Sequence, residues 1–215
     1  MLRAPVIACL ILLLIGAPGR STAQTLPAGF VSSLVSDGWF SPVGAVWDQN
    51  GRMYVWEKSG RVWIVENGVR KPSPLLNLMQ EVGNWGDHGM LGFALDPAFT
   101  SNGRVYAMYV VDRHHLLYFG TPSYDPYATD GGTATIVRIV RYTAIGPAFE
   151  AVDPDSRTVL LGESITTGAA VLYNTHGAGT LLFARDGTLI ATIGDGASAA
   201  STDAGSASES YFAQG

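Results

Sequence analysis

After residue 24, apolar and polar positions alternate over short runs, and no run of ten or more residues keeps a helical period. An alternation of two is the signature of a half-buried strand. Residues 43–47 lead through Asp48-Gln49-Asn50-Gly51 into 52–56. Residues 90–95 lead through DPAFTSNG into 104–111, and residues 179–183 lead through ARDG into 188–193. Each unit is an apolar strand, an Asp-containing turn ending in Gly, and a second apolar strand. Asn50-Gly51, Asn102-Gly103 and Asp186-Gly187 are hairpin dipeptides in which both positions can take positive φ. Ser59-Gly60 predicts a further turn, between residues 53–57 and 61–65, and Asn67-Gly68 closes that strand. Residues 136–142 read as a strand. Residues 112–135, rich in Gly, Pro, Asp, Tyr and His, read as a loop insertion.

One hairpin type recurring at unequal intervals predicts an all-β chain built from propeller blades, some with loop insertions. A β-sandwich of similar strands is the alternative architecture. Three to four blades' worth of pattern is present. The small, polar stretch after Gly196 contains no terminal strand. A propeller whose last blade does not meet its first leaves sheet edges open. The expectation is therefore a partial propeller over residues 24–215, cut short at its C-terminus.

Composition supports this picture. The chain is 47% hydrophobic and 14% charged, which excludes a disordered polymer. Glycine contributes 26 of the 215 residues with no collagen period, so turns are frequent. The net charge of -5 carries no basic footprint for nucleic acid and no polybasic patch for anionic lipid. Residues 1–23 read as a signal peptide: Arg3, the apolar run VIACLILLLI, then Ser21-Thr22-Ala23 before a cleavage point. That run is shorter than the ~20 residues that span a bilayer. An N-terminal membrane anchor is the other reading of this stretch. The sole cysteine, Cys9, lies inside it. The mature chain therefore has no thiol for disulfides, thiolate catalysis or Cys-ligated zinc. The expected location is periplasmic or secreted, with no membrane span.

The chemistry-bearing residues gather near strand ends. His176 stands in NTHGAG, just before a strand, among glycines that let a ligand approach the backbone. At neutral pH it can act as a general base. Asp195, in TIGDGA, ends the partner strand of the same hairpin, so it shares one rim with His176. Asp87 and His88, in GNWGDHGMLGF, approach their own strand from that same rim. Asp87 and Asp195 also fit as plain turn residues. His114 and His115 read as loop residues, since no third metal ligand stands at a fixed spacing from them. No GxGxxG after a strand, P-loop, HExxH or GxSxG is present, and DPDSRT lacks the oxygens of an EF-hand loop.

The runs SPVGAVWDQNGRMYVWEKSGRVWIVENG, GDHGMLGFALDPAFTSNGRVYAMYVV, VRIVRYTA and HGAGTLLFARDGTLIATIGDGAS follow one another in order. Together they resemble the N-terminal half of the glucose/sorbosone dehydrogenase family, the soluble sugar dehydrogenases that use pyrroloquinoline quinone (PQQ). The resemblance implies a six-bladed β-propeller and oxidation of an aldose at its anomeric carbon to the lactone. Hydride would pass to PQQ, calcium would hold the cofactor, and an external acceptor would take the electrons. It implies that His176 is the catalytic base and that Asp87 and Asp195 line the sugar and cofactor site. Many relatives carry an Asp immediately before the catalytic His; here that residue is Thr175. The family's quinone-binding Arg residues and calcium-binding loop have no match before Gly215, so the metal ligands are unknown. A non-catalytic propeller that binds a protein or a glycan is the alternative function.

Overall fold

The computed structural model describes residues 26–131 and 134–196. The chain divides into residues Met1–Leu34 and Val35–Gly215. Of the first unit the described part is residues 26–34, which hold a turn closed by Phe30 N donating to Pro27 O at 3.1 Å. The expected signal peptide lies outside the described residues. Among those described, no helix is long and apolar enough to cross a membrane.

The second unit is a set of antiparallel sheets. The first holds β1 (Pro42–Trp47), β2 (Met53–Glu57), β3 (Arg61–Glu66) and β4 (Val69–Arg70) in chain order, with β5 (Leu76–Asn77) pairing with the other end of β3. The second holds β6 (Met90–Leu95), then, beyond the short helix α1 (Phe99–Asn102), β7 (Arg104–Val110). After the helix α2 (Arg113–Tyr118) come β8 (Thr135–Ile145), β9 (Ala151–Leu161) and β10 (Ala169–Val171); both β9 and β10 pair with β8. A hairpin of β11 (Ala178–Phe183) and β12 (Leu189–Ile193) follows. The inner strands are neighbours, with β6 packed against β1 and β11. Sheets that stack face to face about their first strands form a partial β-propeller, and the all-β expectation holds.

The middle sheet is buried on both faces. Along β7, Val105, Ala107 and Tyr109 join the core shared with the first sheet. Tyr106, Met108 and Val110 join the core shared with the β11–β12 hairpin. β8 divides in the same way, with Ile136, Val140 and Tyr142 on one side and Val137 and Ile139 on the other. Two-sided burial is why RVYAMYV reads as a continuous apolar run. Close approach of the inner strands needs glycine. A Cβ at Gly92 on β6 would stand 2.8 Å from Leu181 Cβ on β11.

The turns differ from the expectation. Gly51, Gly103 and Gly187 take positive φ, but Asn50, Asn102 and Asp186 do not. These turns are longer than a two-residue hairpin: Gly51 N donates to Asp48 O and Asp48 N to Arg52 O, leaving only the glycine left-handed. At Asn67-Gly68 both residues have positive φ, at 53° and 77°. Asp48 also accepts from Asn50 N, Arg52 N and Tyr54 OH, while Asp96 accepts from Ala98 N, Asn102 Nδ2 and Tyr106 OH. These Asp residues shape turns and tie them to the next strand.

Two other expectations change. The stretch 112–135 contains α2, because the Asp112 carboxylate accepts from His114 N and His115 N and so caps a helical turn. Residues 151–161, which include the DPDSRT run that lacks the oxygens of an EF-hand loop, form β9. Its Pro154 is tolerated because the ladder to β8 shifts register there and, among the described residues, β9 pairs with no strand but β8.

Candidate functional site

Antiparallel alternation brings one end of each inner hairpin to a common rim. The starts of β1, β6 and β11 lie there, with the ends of β2 and β12. His176 precedes β11 and Asp195 follows β12. Gly194 N donates to Gly177 O at 2.7 Å and Gly196 N to His176 O at 2.8 Å, so the two segments pair beyond the formal strands. His176 has φ 54°. A Cβ at Gly194 would stand 2.1 Å from His176 O, so the approach requires glycine.

The side chains meet as well. His176 Nδ1 lies 3.0 Å from Asp195 Oδ1, and both side chains are open to solvent, at 47% and 68%. A carboxylate only accepts, so Nδ1 carries a proton, and in the neutral imidazole the lone pair is then on Nε2. The structure thus brings His176 and Asp195 together, as their shared hairpin predicts.

Asp87 reaches the same rim through its backbone. Asp87 N donates to Asn174 O at 2.8 Å, two residues from His176, and the Asp87 side chain is exposed. A Cβ at the neighbouring Gly86 would stand 2.5 Å from Asn174 O. His88, by contrast, is buried, and its Nε2 donates to Tyr173 O at 2.8 Å. Burial holds the His88 imidazole below its ordinary pKa, so it stays neutral while it clamps the start of β6 to the segment before His176.

Lys58, in the β2–β3 turn, was not singled out by sequence. Its Nζ donates to Gly86 O at 2.6 Å, its carbonyl accepts from Met90 N, and its stem covers Gly89. A lysine beside a Ser-Gly turn carries no motif, so only the pairing of sheets could reveal it. His114 and His115 lie on α2, which follows the end of β7, and bond within their own loop. Asp125 N donates to His114 Nε2 at 3.1 Å, and His115 Nδ1 is 3.0 Å from Tyr124 OH. No group of three or more His, Cys, Asp or Glu could hold a metal among the described residues.

A different polar cluster lies between the outer strands. Glu81 Oε1 accepts from Tyr109 OH at 2.6 Å, from Arg157 at 2.8 Å and from Arg138. Burial pushes the Glu81 carboxyl up, but the Arg157 and Arg138 guanidiniums outweigh it and hold it below the usual range.

Known proteins match both the fold and the motifs. The chain resembles the PQQ-bound form of aldose sugar dehydrogenase from Streptomyces coelicolor with 21% identity and a TM-score of 0.50, over 79% of this chain and 42% of that one. It resembles two glucose dehydrogenase structures with 18% identity and a TM-score of 0.53, over 76% of this chain and 40% and 44% of theirs. At these identities the likeness is one of fold. The chain spans less than half the length of these solved structures. No curated protein matches it. A profile described as glucose/sorbosone dehydrogenase matches residues 40–210, which include every rim residue named above. With that match over most of its length, the chain belongs to the glucose/sorbosone dehydrogenase family.

Proposed function

We propose that the protein is an exported, periplasmic or secreted, quinoprotein dehydrogenase that oxidises an aldose at its anomeric carbon to the lactone. The observation that carries this reading is the His176–Asp195 pair at the inner-strand rim. Asp195 holds the Nδ1–H and orients the ring, leaving Nε2 to take the proton of the anomeric hydroxyl. Loss of that proton raises electron density on the oxygen and drives hydride from the anomeric carbon, giving the lactone. Bound PQQ supplies the two-electron acceptor for that hydride. Glycine-rich backbone around His176 leaves room for a flat ring and a sugar to approach.

The rim residues suit these ligands in part. Carboxylates at Asp87 and Asp195 would accept from sugar hydroxyls. Lys58 adds a cation beside Gly86. The same family membership is compatible with a propeller that binds a protein or glycan without turnover, and Thr175 before His176 favours that second reading.

The test is dye reduction by the protein with PQQ, calcium and an aldose. His176→Ala is expected to lower the rate at least ~100-fold, the scale of a lost general base. An active His176→Ala protein removes His176 from the mechanism. A wild-type protein that binds no quinone moves the assignment to the non-catalytic reading.

A further inference from the structure

We propose that the cleft between the outer strands of the first two sheets is a second binding site, for a neutral sugar residue. The cleft has a volume of about 890 Å3, within the range of small-molecule sites. It is built on β5 and the segment after it, α2, β8 and β9. None of its lining residues belongs to the β11–β12 segments that carry His176 and Asp195. It therefore stands or falls apart from the dehydrogenase reading.

The chemistry of the lining selects the ligand class. Arg138 and Arg157 are balanced by Glu81 and Glu163, and burial holds His115 neutral. A ligand with net charge would lose its hydration here without meeting a surplus of opposite charge. Glu81 is fixed by Tyr109, Arg138 and Arg157, so its position is pre-set. Arg157 remains 31% exposed and offers N–H donors. The Glu163 carboxylate accepts, and the Gln80 amide does both. Hydroxyl groups are donor and acceptor at once, so such a mixed set matches a polyol.

The apolar part of the lining agrees. Phe119 is 65% exposed, yet its ring is held in place. It stacks on His115 with centroids 4.5 Å apart and meets Tyr124 edge-on at 5.3 Å. A large aromatic face that is fixed but uncovered suits the C–H face of a sugar ring.

Calorimetric titration of the protein with methyl α-D-glucopyranoside, which has no anomeric hydroxyl to oxidise, and with D-gluconate tests the proposal. Saturable binding of the neutral glucoside is expected, with a dissociation constant on the order of 1 mM. Phe119→Ala and Gln80→Ala, both at exposed side chains, are each expected to weaken it at least ~10-fold. Preference for gluconate over the glucoside overturns the neutral class. Absence of saturation overturns the site, as does glucoside binding that survives both cleft variants. Failure of PQQ-dependent turnover leaves these outcomes untouched and bears only on the dehydrogenase reading.

Discussion

His176 Nδ1 stands 3.0 Å from Asp195 Oδ1, one residue preceding a hairpin and the other following it. A base held by a carboxylate keeps one tautomer and one orientation. Asp195→Asn preserves the shape but can present its NH2 group to Nδ1 and favour the wrong tautomer. Turnover is expected to fall ~10- to 100-fold. Steady-state kcat of the wild-type and variant proteins under one set of conditions checks this. An unchanged kcat rules out the orienting role.

Gly194 sets the spacing of that pair. A Cβ there would stand 2.1 Å from the His176 carbonyl oxygen, so Gly194→Ala must push the two segments apart. Because the clash is with backbone, no rotamer change relieves it. The expected result is a loss of about 1–3 kcal/mol in stability and a larger fractional fall in turnover than in sugar affinity. Urea unfolding together with kcat and KM separates the two effects.

His88 reports on the clamp between β6 and the segment before His176. Burial disfavours the imidazolium, so the folded pKa lies below the ordinary 6.5. The unfolded chain then takes up a proton that the folded chain does not. Stability is full above about pH 6.5 and falls as the pH drops toward the folded value. His115, also buried and shifted down, adds a slope of the same sign. His88→Asn is expected to cost about 1–3 kcal/mol at neutral pH through the lost bond to Tyr173 O, and to flatten this slope. Unfolding midpoints at about pH 7.5 and about pH 5.5 give both numbers.

Glu81 governs the acid side. Its carboxyl is held below the ordinary 4.5 by two guanidiniums despite burial. Its contribution is present above about pH 4.5 and is lost as the pH falls through the lower folded value. Glu81→Ala leaves Arg138 and Arg157 facing each other without the carboxylate. A loss of about 3–5 kcal/mol is expected, the scale for breaking a buried ion pair. Glu81→Gln, which keeps the shape and an acceptor, should cost less. Thermal melts at neutral pH rank the variants.

Local features were legible from the chain alone. The DQNG, SNG and ARDG turns lie in hairpins because an Asp carboxylate and a left-handed glycine act within a few residues of one another. The His176–Asp195 pair was foreseeable for the same reason: its members, 19 residues apart, belong to one hairpin, and antiparallel pairing brings their ends together. The number of positive-φ positions per turn was not foreseeable, since turn length decides it and dipeptide identity does not.

Sequence by itself thus determined the hairpins around DQNG, SNG and ARDG, the all-β class and the rim that His176, Asp195 and Asp87 share. Tertiary structure decided the rest. His88 finds Tyr173 across 85 residues, and Glu81 finds Arg138 and Arg157 across 57 and 76. These partners sit on different sheets or loops, and their spacing repeats no period. Whether a buried charge or histidine is compensated depends on which face of which sheet covers it. Stacking of complete sheets sets that cover, and the alternation along any single strand does not.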